Sequence, residues 1–130
     1  MRTRIIAFIT CLSFTGLSAS VLAHHAFSSV FDPATSTQVI GTVTKVDWLN
    51  PHVWFYIDVT NEDGKVENWG FEMGSPNTLV RRGWSHDSLK PGEIVIVNGA
   101  LARDGSNRAA VRAVTLRSGE RLFGGQNEEQ

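Results

Sequence analysis

The sequence predicts a small all-β domain with a minor helical contribution, and three observations carry that prediction. Runs of β-branched and aromatic residues recur between turn signals along most of the chain. One run, residues 52–59, places apolar side chains at every second position, as a half-buried strand does. A single segment, residues 75–83, carries both the start and the stop signals of a helix. Together they indicate an antiparallel barrel or sandwich.

The first predicted strand is QVIGTVTKVDW, which is rich in β-branched residues from Val39 onward. Gly41 interrupts this pattern. A glycine inside a strand is typical of a bulge or of a close approach by a neighbouring backbone. We therefore expect one of these two features at Gly41.

The next two strands form a predicted hairpin across the turn NEDG. A three-residue loop at 62–64, with a left-handed glycine at its end, pairs Asn61 with Lys65. A loop of two or four residues would reverse the parity and bury Glu72 and Asn68, which is costly. The three-residue loop instead puts apolar pairs on one side of the hairpin: Val53 with Met73, Phe55 with Phe71 and Ile57 with Trp69.

The second half of the domain begins with a short helix of two turns or fewer. Ser75 is the expected N-cap, Pro76 the first helical position and Gly83 the stop. Apolar residues then run without alternation over 94–97, which predicts a strand buried on both sides. The segment RAAVRAVTLRSG is the last predicted strand.

Three strands, a short helix and two more strands follow one another in the order of the OB-fold. That fold is a five-stranded Greek-key barrel, here with the helix between strands 3 and 4. A simple β-sandwich is the alternative architecture. We assign the barrel domain to residues 39–123, after an extended N-terminal arm at 24–38. Residues 124–130 are polar and are predicted to be a disordered tail.

Residues 1–23 have the pattern of a secretory signal peptide. A basic start, MRTR, precedes an uncharged segment from Ile5 to Leu22, and small residues favour cleavage after Ala23. The polar and small residues of this segment argue against a retained span, so no stable membrane span is expected after cleavage. We therefore predict that the protein is periplasmic or secreted after cleavage. Cys11 is removed with the segment, which excludes disulfide and thiolate chemistry from the mature chain.

The charge of the mature chain is slightly negative. Loss of Arg2 and Arg4 lowers the basic count from 12 to 10 against 13 acidic residues, so the charge is 10 − 13 = −3. No nucleic acid partner is expected, because phosphate contacts dominate that affinity and no basic cluster is present. A metal ion, a small molecule or an envelope protein is the expected partner. No phosphate loop, nucleophile elbow or metalloprotease motif indicates an enzyme.

The N-terminal histidines suggest a metal site. Cleavage after Ala23 would give His24 a free α-amine, and this amine and its imidazole can chelate one ion together. One more imidazole completes a set of three nitrogens that suits copper, with zinc as the other candidate. His52 is favoured as that donor, because adjacent side chains of an extended segment point apart and so separate His25 from His24. His25 stays an additional ligand candidate.

Glu72 completes the predicted site. It lies opposite Trp54 in the predicted hairpin, on the face that carries His52 and Tyr56. A carboxylate there could bind the metal directly, or it could accept a hydrogen bond from the imidazole and so orient the ring. Trp54 and Tyr56 would then line one side of the site and form a face that could contact a ligand. In the competing interpretations, the histidine pair is only a tail, His52 only caps a turn, and Glu72 pairs with a surface arginine.

Several segments resemble one family over residues 24–116. They are HHAF, FDP, GTVTKVDWLNPHVWFYIDV, NWGFE, LVRRGW and LKPGEIV, and the chain is similar in them to a domain-of-unknown-function family of small exported bacterial proteins. The family pattern often has Ser where this chain has Ala26. The resemblance implies a signal peptide and a single β-rich domain, with no established activity. The mature N-terminal histidine also resembles that of histidine-brace copper proteins, which include lytic polysaccharide monooxygenases and periplasmic copper-resistance proteins.

Three functions are consistent with these patterns. The first is an exported copper-binding protein that acts as a carrier or accessory rather than as a catalyst. The second is a metal-free OB-type module that holds a small apolar ligand or a partner protein on the Trp54 and Tyr56 face. The third, a copper-dependent oxidase or monooxygenase, is disfavoured because the 107 residues after the leader leave little surface for a polymeric substrate.

Overall fold

The computed structural model describes residues 27–126. The chain divides into two compact units between Val30 and Phe31. Of the first unit only residues 27–30 are described, and these are helical although the arm is predicted to be extended. The predicted signal peptide and both N-terminal histidines lie outside the described residues.

The second unit contains one six-stranded sheet. Its strands are β1 (Thr37–Asp47), β2 (Trp54–Thr60), β3 (Val66–Glu72), β4 (Ile94–Leu101), β5 (Arg108–Leu116) and β6 (Arg121–Phe123). Helix α1 (Pro76–Arg81) lies between β3 and β4. The strand order is β3-β2-β1-β4-β5-β6, and a parallel pairing of β3 with β5 closes the sheet. Strands β1 to β5 therefore form the predicted five-stranded OB-like barrel. The short β6 is an addition that the sequence pattern does not predict.

Each of the strands β1 to β5 contributes buried apolar side chains to the core of the barrel. Val43, Phe55, Phe71, Val97 and Val111 all have at most 2% of their surface exposed. The two phenylalanine rings stack with their centroids 5.2 Å apart. Each large apolar side chain buried in this way contributes roughly 1.5–3 kcal/mol to folding.

The register of the β2–β3 hairpin is the predicted one. Phe55 pairs with Phe71 and Ile57 with Trp69, all on the interior or half-buried side. The backbone N–H of Asn61 donates to the carbonyl of Lys65 at 2.9 Å, and the loop glycine has a φ of 77°. The three-residue loop is therefore confirmed, and with it the face on which each β2 and β3 side chain lies.

Gly41 marks a close approach between β1 and β2. A Cβ atom at this position would lie 2.5 Å from the carbonyl oxygen of Asp58. The register shift in this strand pair lies between Val43 and Lys45. Of the two features predicted at Gly41, a bulge and a close backbone approach, the structure shows the close approach.

The helix begins and ends as predicted. The Ser75 hydroxyl accepts a hydrogen bond from the Thr78 N–H at 3.3 Å, Pro76 opens the helix, and Gly83 has a φ of 93°. The indole Nε1–H of Trp84 then donates to the Phe123 carbonyl at 2.9 Å. This bond ties the segment after the helix to β6. No helix within residues 27–126 has the length and apolar character needed to cross a membrane.

Residues 94–97 of β4 are buried on one side only, which corrects the prediction for this segment. Val95 and Val97 are 1% and 0% exposed, whereas Ile94 is 46% exposed. A barrel has a single interior, and no described element covers the outer face of Ile94. The barrel also continues past its predicted end, because the Gly124 carbonyl accepts from the Gly74 N–H and the Gln126 amide donates to the Met73 carbonyl.

Candidate functional site

The position of His52 is set by its neighbour in the chain. Val53 is fully buried, donates its N–H to the Gly74 carbonyl and accepts from the Met73 N–H. Side chains alternate along an extended segment, so His52 lies on the outer side together with Trp54 of β2. The hairpin therefore presents His52 where the sequence predicts it.

The structure brings His52 against Glu72. The Nδ1 atom of the imidazole contacts the Oε1 atom of the carboxylate, and Trp54 is the residue paired with Glu72 across the hairpin. The carboxylate is 13% exposed and the imidazole 44%. Glu72 thus pairs with His52 and not with a surface arginine. An imidazole that donates from Nδ1 keeps its lone pair on Nε2, where it can bind a metal ion or accept a hydrogen bond.

The described residues supply only part of the predicted metal site. Among residues 27–126, no three His, Cys, Asp or Glu side chains lie close enough together to hold a metal ion. His24 and His25 lie outside the described range. The fourth histidine, His86, stacks on Trp48 with their ring centroids 4.5 Å apart. A metal held at His52 would therefore need a donor from outside residues 27–126.

An open groove of about 480 Å³ lies on the outer face of β2 and β3. The predicted ligand face forms one part of it, and residues from the start of β5 form another. The lining residues are Trp54, Tyr56, Asn68, Gly70, Asn107 and Arg108. These residues come from β2, β3, the first position of β5 and the loop before it, and the face of strands 2 and 3 and the loop between strands 4 and 5 are elements that bind ligands in OB-type barrels.

Closure of the barrel brings Asn107 and Arg108 to the groove. Gly70 pairs with Arg108 in the parallel β3–β5 ladder, and the Gly70 N–H donates to the Asn107 carbonyl at 3.0 Å. Reasoning from the sequence missed both residues, because they are almost 40 positions from β3 in the chain. The only available signal was the loop DGSN, which we interpreted as a turn.

Gly70 gives the groove its floor. A Cβ atom at this position would lie 3.3 Å from Cε1 of Tyr56 and 3.7 Å from Cγ of Arg108. The absence of a side chain therefore leaves space between the tyrosine ring and the arginine stem. The Lys45 ammonium lies over the tyrosine ring, 5.7 Å from its centroid.

Hydrogen bonds to Asp104 hold the loop before β5 in place. The Asp104 carboxylate accepts hydrogen bonds from the hydroxyl and the backbone N–H of Ser106, and also from the Arg108 guanidinium at 2.5 Å. These bonds, those from Ser106 first, lower the pKa of Asp104 to about 2. Arg108 also donates from Nε to the Ser106 hydroxyl at 2.9 Å. The guanidinium is thus held in one orientation beside the groove.

Carboxylates border the groove on its other sides. The Asn68 amide donates to Asp58 at 2.7 Å, and the Asn107 amide donates to Glu67 at 3.4 Å. Each pairing uses the N–H₂ end of the amide. The carbonyl end of each amide is left as an acceptor.

Among solved structures, the chain is similar to the mitochondrial single-stranded DNA-binding protein Rim1 of S. cerevisiae. The TM-score is 0.50 at 10% sequence identity, and the match covers 64% of this chain and 93% of that chain. At such identity the likeness shows the fold alone, and it confirms the OB-like barrel. No curated protein matches the chain significantly. The model of a family of unknown function, DUF6152, matches residues 13–113. The chain therefore belongs to the DUF6152 family.

Proposed function

We propose that the protein is an exported metal-binding protein that carries or buffers copper. The observation that supports this most is the contact between His52 and Glu72. Metal-binding imidazoles commonly donate their second ring N–H to a carboxylate, which fixes the tautomer and raises the basicity of the ligating nitrogen. Glu72 is suited to that role because it is nearly buried and cannot turn away into solvent.

The remaining donors of the proposed site come from the N-terminus. The amine and imidazole of His24 would chelate the ion, and Nε2 of His52 would complete a set of three nitrogens that favours copper over other divalent ions. Almost half of the His52 side chain is exposed, so another segment can reach it. His25 is the remaining candidate ligand, and zinc the remaining candidate metal.

Export is part of this proposal. The His24 amine exists only if the leader is cut after Ala23, which places the working protein in the periplasm or outside the cell. A chain that keeps its leader would offer the imidazoles but no terminal amine. The affinity for the metal therefore depends on removal of the leader.

Single-stranded DNA, which the structural neighbour binds according to its name, is not the ligand we propose. The groove has one cationic side chain in its lining, Arg108, and Asp104 neutralises it. Nucleic acid affinity is supplied largely by cations that contact phosphates. This surface lacks the charge that such a ligand requires.

The proposal is tested on untagged protein isolated from the envelope of cells that express all 130 residues. Mass spectrometry should find the chain beginning at His24, and elemental analysis should find copper bound. In copper titrations, His24→Ala and His52→Ala should each weaken binding by tenfold or more, since each removes a donor. His86→Ala is the matched control and should bind as the parent does.

Two results would contradict the proposal. A processed chain that begins elsewhere removes the chelating amine from the mechanism. Equal copper affinity in the parent and in both His24→Ala and His52→Ala would mean that the ion binds elsewhere on the chain.

A further inference from the structure

We propose that the groove on β2 and β3 binds a neutral oligosaccharide. None of the residues that line this groove is one of the metal ligands proposed above, so the failure of one proposal would not decide the other. The groove combines aromatic rings, amide groups and one guanidinium held by hydrogen bonds, and it is open to solvent. The argument rests on its unused hydrogen-bonding atoms, on its rings and on its charge.

Several polar atoms in the groove have no hydrogen-bond partner among residues 27–126. The indole N–H of Trp54 and the hydroxyl of Tyr56 are free donors, and the side-chain carbonyls of Asn68 and Asn107 are free acceptors. A sugar hydroxyl donates and accepts at the same time. A groove that offers both donors and acceptors therefore matches a polyhydroxylated ligand better than the apolar ligand considered from the sequence.

The two rings supply the apolar part of the recognition. Trp54 and Tyr56 are both half-buried and are two residues apart on the same face of β2. The C–H face of a pyranose ring packs against such aromatic surfaces, and pairing it with polar contacts at the rim is the usual composition of a ligand pocket. Gly70 beside Tyr56 leaves room for that packing.

The charge of the surroundings excludes a polyanion. Four carboxylates border the groove: Asp58, Glu67, Glu72 and Asp104. The nearby cations are each paired with a carboxylate: Arg108 with Asp104, Lys45 with Asp47 and Lys65 with Glu67. A ligand rich in phosphate or carboxylate would be repelled, whereas a neutral sugar would not. The volume of about 480 Å³ falls within the roughly 300–1,000 Å³ of small-ligand sites.

The test uses the same untagged protein, labelled with ¹⁵N, and follows the indole signals of its tryptophans by NMR. Neutral tri- and hexasaccharides of glucose and of N-acetylglucosamine are titrated first. Trigalacturonate and a ten-nucleotide single-stranded DNA are the anionic probes. At least one neutral sugar should shift the Trp54 signal and leave that of Trp48, which lies against His86, unchanged.

Three variants test the groove itself. Trp54→Ala and Asn107→Ala should each weaken sugar binding by tenfold or more, and Gly70→Ala should do so by filling the floor. Asn77→Ala, on the exposed side of α1, is the matched control and should not change affinity. Copper affinity should stay unchanged in Asn107→Ala, which separates this proposal from the metal proposal.

The proposal is wrong if none of the neutral sugars shifts the Trp54 signal at millimolar concentration. It is equally wrong if the DNA or trigalacturonate binds more tightly than every neutral sugar. Sugar binding that survives both Trp54→Ala and Gly70→Ala would also overturn it, because the ligand would then lie elsewhere on the protein.

Discussion

Glu72 is the residue at which the hairpin, the barrel closure and the proposed metal site meet. It pairs with Trp54 on one side and with Ala110 on the other, while its carboxylate contacts His52. Pairing on both sides fixes the backbone from which this side chain extends, and only 13% of the side chain is exposed. The imidazole is therefore positioned by a carboxylate that is itself held by two strands.

Replacing Glu72 by glutamine should weaken copper binding without unfolding the barrel. The amide retains an acceptor for His52 but loses the negative charge that raises the basicity of the imidazole, so we expect a loss of ten- to a hundredfold. Calorimetric titration with copper measures it. Glu67→Gln, on the same strand but paired with Asn107, is the control and should bind normally. Equal affinity in the two variants would show that Glu72 does not support the metal.

Asp104 gives a second prediction at the level of a single residue. Its pKa is lowered from 3.8 to about 2, so the hydrogen bonds that favour the carboxylate are fully formed above pH 3.8 and are lost as the pH falls through about 2. A carboxyl ¹³C titration should place its midpoint near 2. In Ser106→Ala, which removes the largest cause of the shift, the midpoint should move up towards 3.8. An unchanged midpoint would contradict the geometry of this loop.

Among the structural elements, two glycines of the β1–β2–β3 meander should respond differently to alanine. Gly64 has a φ of 77° and open space around it, so Gly64→Ala costs only the strained backbone, about 1 kcal/mol. At Gly41 the new Cβ would meet the backbone oxygen of Asp58, so Gly41→Ala forces β1 and β2 apart and costs about 2–3 kcal/mol. Urea denaturation of both variants measures the two costs. A Gly64→Ala variant that is the less stable of the two would contradict this account.

The elements that the sequence predicts well are those in which the alternation of side chains along a strand determines which residues face the core. The loop at 62–64 fixes which side Phe55 and Glu72 face, because a loop of two or four residues would bury a charge. Residues 94–97 are apolar at every position, so their pattern cannot distinguish an exposed Ile94 from a buried one. Strand β6 has only three residues, too few to show a period.

At the scale of the whole molecule, part of the candidate site could be predicted from the sequence and part could not. His52, Trp54, Tyr56 and Glu72 belong to one hairpin, so their common face follows from its register. Asn107 is brought to this face only by the closure of the barrel. Pairing between strands that are distant in the chain leaves no periodic trace in the sequence, so two of the six lining residues, Asn107 and Arg108, could not be predicted.

Copper should raise the melting temperature of the processed protein. An ion that binds only the folded state stabilises it by about 2.7 kcal/mol at a free concentration one hundred times its Kd, which is worth several degrees or more for a domain of this size. Thermal unfolding followed by circular dichroism measures the shift. His52→Ala should lose most of it, and His86→Ala should retain it. A melting temperature that copper leaves unchanged would favour a metal-free binding module.

The parallel seam between β3 and β5 has one more consequence. It consists of three residue pairs, from Gly70–Arg108 to Glu72–Ala110. Gly70 lines the groove and the Glu72 carboxylate contacts His52, so opening of this one short ladder would disturb both places. A ligand that binds at either place only when the ladder is closed should therefore slow the exchange of its amide hydrogens.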